Sequence, residues 1–358
     1  MKNRKTKLMA MLSVLTLSLS MLSGCGNATS TETTANTETT ANTETTANTE
    51  TTANTETTAN TETTTSTETT ADTSVAETVT VTDVRGEVEI PANPERVVDL
   101  SGNSDMLYIL GYHVVGTANS DAYDYTKFPP YLEDILQGAK ILGYCMQDTM
   151  DVENILDLNP DLIIISTVQE KMYDQLKAVA PTVMIELAQT NWEDDFNNFA
   201  SIFGKQDIAE NWLKEYHEKA DKVGKELKDT YGEDTSYFSF LASGGQLYVF
   251  ANAGFGSVLY TDFGLARPVG MPDQDIMSLP VITYEGLAAI EADYIFVLGT
   301  DADMADLEAN AIWQSLPAVK AGHVVKLPAD PYFNAGYSCI GRSNLLDEIP
   351  EMLEGIKN

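Results

Sequence analysis

The chain has 358 residues, with 54 acidic against 21 basic side chains and a formal net charge of −33. So acidic a chain excludes nucleic-acid binding by phosphate neutralisation, and it disfavours a strongly anionic ligand unless bases cluster locally. Its three histidines are scattered, which excludes the ligand spacing of a zinc or manganese site, and there is no nucleophile elbow or phosphate loop, so no enzyme is expected.

The N-terminus is basic at Lys2, Arg4, Lys5 and Lys7, then apolar from Leu8 to Leu22. That run is too short to span a bilayer, which needs about 20 apolar residues. It ends Leu22-Ser23-Gly24-Cys25. This order resembles a bacterial lipobox, in which the cysteine is acylated with diacylglycerol and the signal is cut before it. The resemblance implies a signal peptide over 1–24, lipid attachment at Cys25, and a cell-membrane protein anchored on the extracytoplasmic face. Two acyl chains suffice for stable anchoring. From Thr31 to Asp72 a six-residue unit, Thr-Glu-Thr-Thr-Ala-Asn, repeats without any Leu, Ile or aromatic residue. Such a segment cannot bury enough apolar surface to fold, so residues 25–77 are expected to be a disordered tether.

About 280 residues follow, more than one core usually organises, which suits two lobes. Val79 to Thr82 and Val88 to Ile90 alternate around Arg85-Gly86 and predict a hairpin. Short apolar strands are predicted at Val97–Leu100, Val114–Gly116, Leu162–Ile165 and Val183–Ile185. Helices are predicted from Ser101–Ser104 to Leu110 and over Asp151–Leu158. This alternation implies parallel strands with helical crossovers in a first lobe, 78–190. Linking helices are expected over 191–232. Within them Ile208, Trp212, Tyr216, Ala220, Val223 and Leu227 form a helical stripe, with Lys and Glu between and Gly232 as the stop. A second α/β lobe is expected over 233–358. Its strands are predicted at Tyr237–Leu241, Leu247–Phe250, Tyr294–Leu298 and Val324–Leu327, with a closing helix over Leu345–Leu353. Cys145 and Cys339 are expected to be free thiols.

Several stretches resemble the substrate-binding lipoproteins of ABC importers for iron–siderophore complexes and vitamin B12. They are Thr80–Asp83 with Arg85-Gly86, Ile90-Pro91 and Pro94–Val98; Asp151–Leu156 with Asn159–Ile164; Leu259-Tyr260 with Phe263–Leu265; and Tyr284–Leu287 with Ala292–Ile295. The resemblance covers Val79 to Lys357 and implies two mainly parallel α/β lobes, one long joining helix and a ligand cleft between the lobes. It further implies that Glu153 and Glu285, one per lobe, dock on permease arginines, where bidentate pairs would give orientation. The expected partners are a ferric siderophore or related chelate, the permease and its ATPase subunits. A monomer is expected, with no nucleic acid, no catalytic residue and no cofactor, iron entering only within the chelate.

Ligand contacts are expected from loops after the strand ends: Asn103, Tyr125, Tyr144 and Gln169 in the first lobe, and Tyr248, Phe255, Tyr332 and Arg342 in the second. Tyr144 to Thr149 carries no base where ferrichrome-type members often place an arginine. Ferric catecholates, triply anionic, would need several bases in the cleft, so a neutral or cationic ferric hydroxamate fits the charge better. A corrinoid or haem is the alternative ligand within the family, and a surface adhesin the alternative outside it.

Overall fold

The structure, a computed structural model, describes residues 77–186, 191–274 and 278–356. The signal segment, Cys25 and the Thr/Glu repeat lie outside the described residues. A hairpin of β1 (Thr78–Asp83) and β2 (Gly86–Pro91) comes first, as the alternation around Arg85-Gly86 predicts.

In the first lobe, β3 (Val97–Asp99), β4 (Val114–Thr117), β5 (Lys140–Ile141), β6 (Leu162–Ser166) and β7 (Thr182–Ile185) form one parallel sheet. Its order is β5-β4-β3-β6-β7. Its helices are α1 (Ser104–Ile109), α2 (Val152–Leu156) and α3 (Tyr173–Lys177). Two helices follow, α4 (Trp192–Ile202) and the 26-residue α5 (Gln206–Tyr231).

The second lobe holds β8 (Tyr237–Ser243), β9 (Gln246–Val249), β10 (Val281–Ile282), β11 (Tyr294–Gly299) and β12 (Val324–Pro328). Their order is β10-β9-β8-β11-β12; β8, β11 and β12 are parallel, whereas β8–β9 and β9–β10 are antiparallel. The tight Gly244-Gly245 turn forces the β8–β9 reversal, since both glycines have positive φ. The lobe's helices are α6 (Gly254–Ser257), α7 (Tyr284–Ala288), α8 (Asp301–Ala309), α9 (Ala311–Ser315), α10 (Pro317–Ala321), α11 (Ala329–Ala335) and α12 (Cys339–Gly355). The closing helix thus begins six residues before the expected Leu345, because Ser338 caps it: its Oγ accepts from Gly341 N–H at 3.1 Å.

Strand periodicity divides the apolar residues between cores. In β6, Ile163 and Ile165 join the first lobe's own core, whereas Leu162 and Ile164 face a larger one. In β11, Ile295 and Val297 join the second lobe's core, whereas Phe296 and Leu298 face that same larger one. The large core is continuous from β3 through α4 and α5 to α12, so the lobes share packed side chains as well as a connecting helix.

The buried stripe of α5 is Ala209, Leu213, Tyr216, Ala220, Gly224 and Leu227, rotated slightly from the expected one. Ile208 is exposed, and Trp212 and Val223 lie at the margins. The face centres on small residues because backbone packs there: a Cβ on Gly224 would meet the Phe263 carbonyl oxygen at 2.2 Å. The outer face carries the i,i+4 pairs Lys214–Glu218 (4.0 Å), Lys222–Glu226 (3.9 Å) and Lys225–Asp229.

Candidate functional site

Asp99, at the end of β3, is fully buried and organises the loop that follows. Oδ1 accepts from Ser101 N–H (2.9 Å) and Ser101 Oγ (2.6 Å); Oδ2 accepts from Asn103 N–H (3.0 Å) and Ser104 Oγ (2.6 Å). Asn119 braces the same loop, donating to Gly102 O at 2.7 Å and accepting from Ser104 N–H at 3.0 Å. Burial pushes the Asp99 carboxyl above its ordinary pKa, against the lowering effect of these donors.

The loop walls a cavity of about 290 Å³ between the lobes. From the first lobe come Ser101–Asn103, Asn119, Ser120 and Tyr144–Met146; from α4 come Trp192 and Asp195; from the second come Leu279, Phe333, Asn334, Tyr337 and Ser338. Across the cleft, Tyr144 OH donates to Asn334 Oδ1 at 3.4 Å, and Tyr123 sets its ring edge-on to Phe333 at 6.1 Å. Asp195 is the single Asp or Glu among the described lining residues, and none is Lys or Arg. Burial raises the pKa of the Tyr144 and Tyr337 hydroxyls and pushes the Cys145 thiol up to about 12, so all three face the cavity uncharged. Cys145 and Cys339 are free.

Of the eight expected ligand residues, the structure brings Asn103 and Tyr144 to the cavity. Tyr125 stacks on Tyr144, ring centroids 5.2 Å apart and planes within 9°, and is exposed to solvent rather than lining the cavity. Gln169 is not at the surface of the cleft: it is fully buried, donating to the Cys145 (2.6 Å) and Gln147 (2.9 Å) carbonyls while its Oε1 accepts from Ser166 N–H (3.0 Å). It fixes the loop that carries Tyr144.

Arg342 likewise corrects the expectation. It is 1 % exposed, donating to Ser257 Oγ (2.8 Å), the Gly336 carbonyl (2.6 Å) and Asp262 Oδ2 (2.6 Å), with its guanidinium 4.6 Å from the Trp192 ring centroid. Its donors are turned into the second lobe, where Asp262 compensates the charge. Phe255 packs on Phe296 in the core. Tyr248 lies in β9, opposite Val281 of β10. Tyr332 lines a separate crevice with Pro130, Tyr131 and Glu348.

Trp192 and Asp195, one turn apart on α4, are cavity residues that the strand-end rule misses. The only sequence signal for them is the acidic, aromatic first turn of that helix. Glu153 and Glu285 are exposed, each in the first turn of a short capped helix. Asp151 caps the first by accepting from Glu153 N–H at 2.9 Å, and Thr283 the second by accepting from Gly286 N–H at 3.1 Å.

Two α/β lobes, a long helix between them and a cavity at their junction define a two-lobed solute-binding protein. The model of the periplasmic binding protein family matches residues 101–331, and the chain belongs to that family. It is 31 % identical over 283 residues to the iron(3+)-hydroxamate-binding protein FhuD of Bacillus subtilis (strain 168), covering 76 % of this chain and 86 % of that one. It is 29 % identical to the probable siderophore-binding lipoprotein YfiY of the same organism, covering 76 % and 87 %. Among solved structures, an FhuD-fold periplasmic binding protein component of a Fep/Fec-like ferrichrome ABC transporter from B. subtilis matches with a TM-score of 0.64. Its identity is 30 %, over 76 % of this chain and 98 % of that one.

Proposed function

We propose that this protein is the substrate-binding lipoprotein of an ABC importer and that it captures a ferric siderophore, a neutral or cationic hydroxamate complex. The observation that carries this reading is the cavity between the lobes, walled by aromatic rings, hydroxyls and amides, with no Lys or Arg among its described lining residues. Rings suit the apolar arms of a chelate, and uncharged donors suit its iron-bound oxygens. A polyanionic ferric catecholate would enter a site with Asp195 in the wall and Asp99 and Asp105 behind it, and would be repelled. The relatives named for ferric hydroxamate or siderophore binding support the same class.

Trp192 in the wall supplies the test. Titrating the full chain with ferrioxamine B, ferrichrome, a ferric catecholate, haem and cyanocobalamin should give saturable fluorescence quenching by the hydroxamates, beyond ligand absorbance. A response to cyanocobalamin or haem alone would move the protein to the alternative ligands. No response to any of the five would remove the ligand assignment.

Delivery follows from the surface. Glu153 and Glu285 would engage arginines of the permease, and ATP hydrolysis would belong to the partner subunits. Glu153→Ala combined with Glu285→Ala should leave hydroxamate affinity within about twofold of wild type and abolish uptake by cells, since exposed carboxylates govern docking rather than the cleft. Normal uptake by the double variant would sink the docking role. Anchoring would run through Cys25: Cys25→Ser should release the protein from the membrane fraction, and its retention there would remove the lipid attachment.

A further inference from the structure

One buried carboxylate of the first lobe reaches the second beside the cavity. Asp105 lies in the first turn of α1 and is 2 % exposed. Its Oδ2 accepts from Ser338 Oγ at 2.7 Å and from Ile340 N–H at 3.3 Å. Ser338 is the N-cap of the 17-residue α12, so the carboxylate sits at the positive end of that helix, where orphan N–H groups and negative charge suit one another. Both sides of this joint adjoin the ligand cavity: Asn103 and Met106 flank Asp105 and line it, as do Tyr337 and Ser338.

The outer contacts across the cleft differ in kind. Tyr144–Asn334 is a long hydrogen bond of 3.4 Å, and Tyr123, which meets Phe333 edge-on, is 41 % exposed. A long neutral hydrogen bond and a solvent-facing ring edge part at little cost. A buried carboxylate that loses its donors is left desolvated and unpaired, which costs far more.

We infer that Asp105 is the pivot of the two lobes, staying joined to Ser338 and Ile340 while the outer contacts separate to admit ligand and re-form around it. It is a positioning residue: it holds Asn103 of one wall against Ser338 of the other and so limits how far the walls part. The joint stands on the geometry alone; its kinetic consequence rests on the proposed reading of the cavity as the ligand site.

Asp105→Asn tests it in the full chain. Burial already raises the Asp105 carboxyl above its ordinary pKa, so the neutral amide removes a desolvated charge and global stability should hold or rise. The joint loses its charge-assisted acceptor. Amide exchange at Ile340 and Gly341 should therefore quicken at least about tenfold. Ferrioxamine B dissociation, read by fluorescence, should also quicken at least about tenfold, while association changes less than about twofold. Ser338→Ala should shift both in the same direction, and it serves as the second variant if Asp105→Asn folds poorly.

A purely structural role would lower the Tm and leave dissociation alone. Unchanged exchange at Ile340 in both variants would overturn the joint. Lost protection with unchanged dissociation would overturn the pivot. If the wild-type protein binds no hydroxamate, the proposed ligand falls, and the exchange rates alone decide whether Asp105 joins the lobes.

Discussion

Asp99 gathers four donors within 3.0 Å and turns the chain from β3 into the cavity wall, and Gly102 is the tightest point of that turn. Gly102 has φ +88°, and a Cβ there would lie 2.6 Å from Cys145 Cβ and 2.8 Å from its Sγ. Gly102→Ala therefore meets both backbone strain and a clash with Cys145 of the neighbouring segment of the same lobe. It should cost about 1–3 kcal/mol of stability and weaken ligand binding, because relief requires moving the 101–104 loop or the Tyr144–Met146 segment. Calorimetry and titration check it; an unchanged Tm with unchanged affinity would mean that the loop yields freely. This scale was the least legible in the sequence. Asn103 and Tyr144 follow a strand end and a glycine, so their loops could be placed. Gln169 follows a strand end and Arg342 opens the last helix, yet their side chains turn inward because Cys145, Gln147 and Asp262 offer partners there. Those partners lie 24, 22 and 80 residues away. No local pattern encodes a meeting over such separations.

Elements were far more legible, because their signals are local. The fully apolar Leu162–Ile165 run became a fully buried interior strand, and Asp151 and Asn159 bracket a helix as caps and turns should. The long helix is legible from apolar side chains recurring every three or four residues with lysine and glutamate between, but its buried face lies about one residue round from that stripe. The reason is physical: bulk predicts burial only where side chains fill space, and α5 instead approaches the second lobe backbone to backbone at Gly224. A side chain at Gly224 has nowhere to go. Gly224→Val should lift α5 from the Phe263 segment and lower the Tm by several degrees, equivalent to about 1–3 kcal/mol of overpacking or more, despite the gain in helix propensity over glycine. A Tm raised by the substitution would show that the contact gives way and that propensity wins. In the second sheet β9 was foreseen as the strand Leu247–Phe250, whereas the edge strand β10 and the antiparallel β9–β10 pairing were not. Their register depends on the glycine turn and on a two-residue edge strand too short to carry a pattern.

At the scale of the whole molecule, charge sets both what the cleft admits and how stability depends on pH. A net charge of −33 opposes compaction, and the buried carboxylates of Asp99 and Asp105 are held by hydroxyl and backbone N–H donors rather than by any described Lys or Arg. Burial raises the pKa of both in the folded protein. As pH falls from neutral towards the ordinary carboxylate value of 3.8, the folded state takes up protons on these groups before the unfolded state does, so stability rises through that window. Below it the sign reverses. The Lys127 ammonium holds half-buried Asp124 down to about 2, and Lys171 lowers exposed Asp148, so both stay ionised in the folded state while the unfolded chain is protonated. Their contributions, small because solvent screens them, are lost as pH falls further. The Tm of the full chain should therefore climb as the pH falls from neutral towards 3.8 and decline at lower pH. Asp105→Asn should reduce the climb by removing one of the buried carboxyls that drive it, while leaving the decline in place. A Tm that falls steadily from neutral pH in the wild-type protein would mean that the four donors on Asp99, and the Ser338 and Ile340 donors on Asp105, outweigh burial. Both carboxylates would then be ionised throughout, and the cleft would be lined from behind by full negative charge, which strengthens the exclusion of anionic chelates.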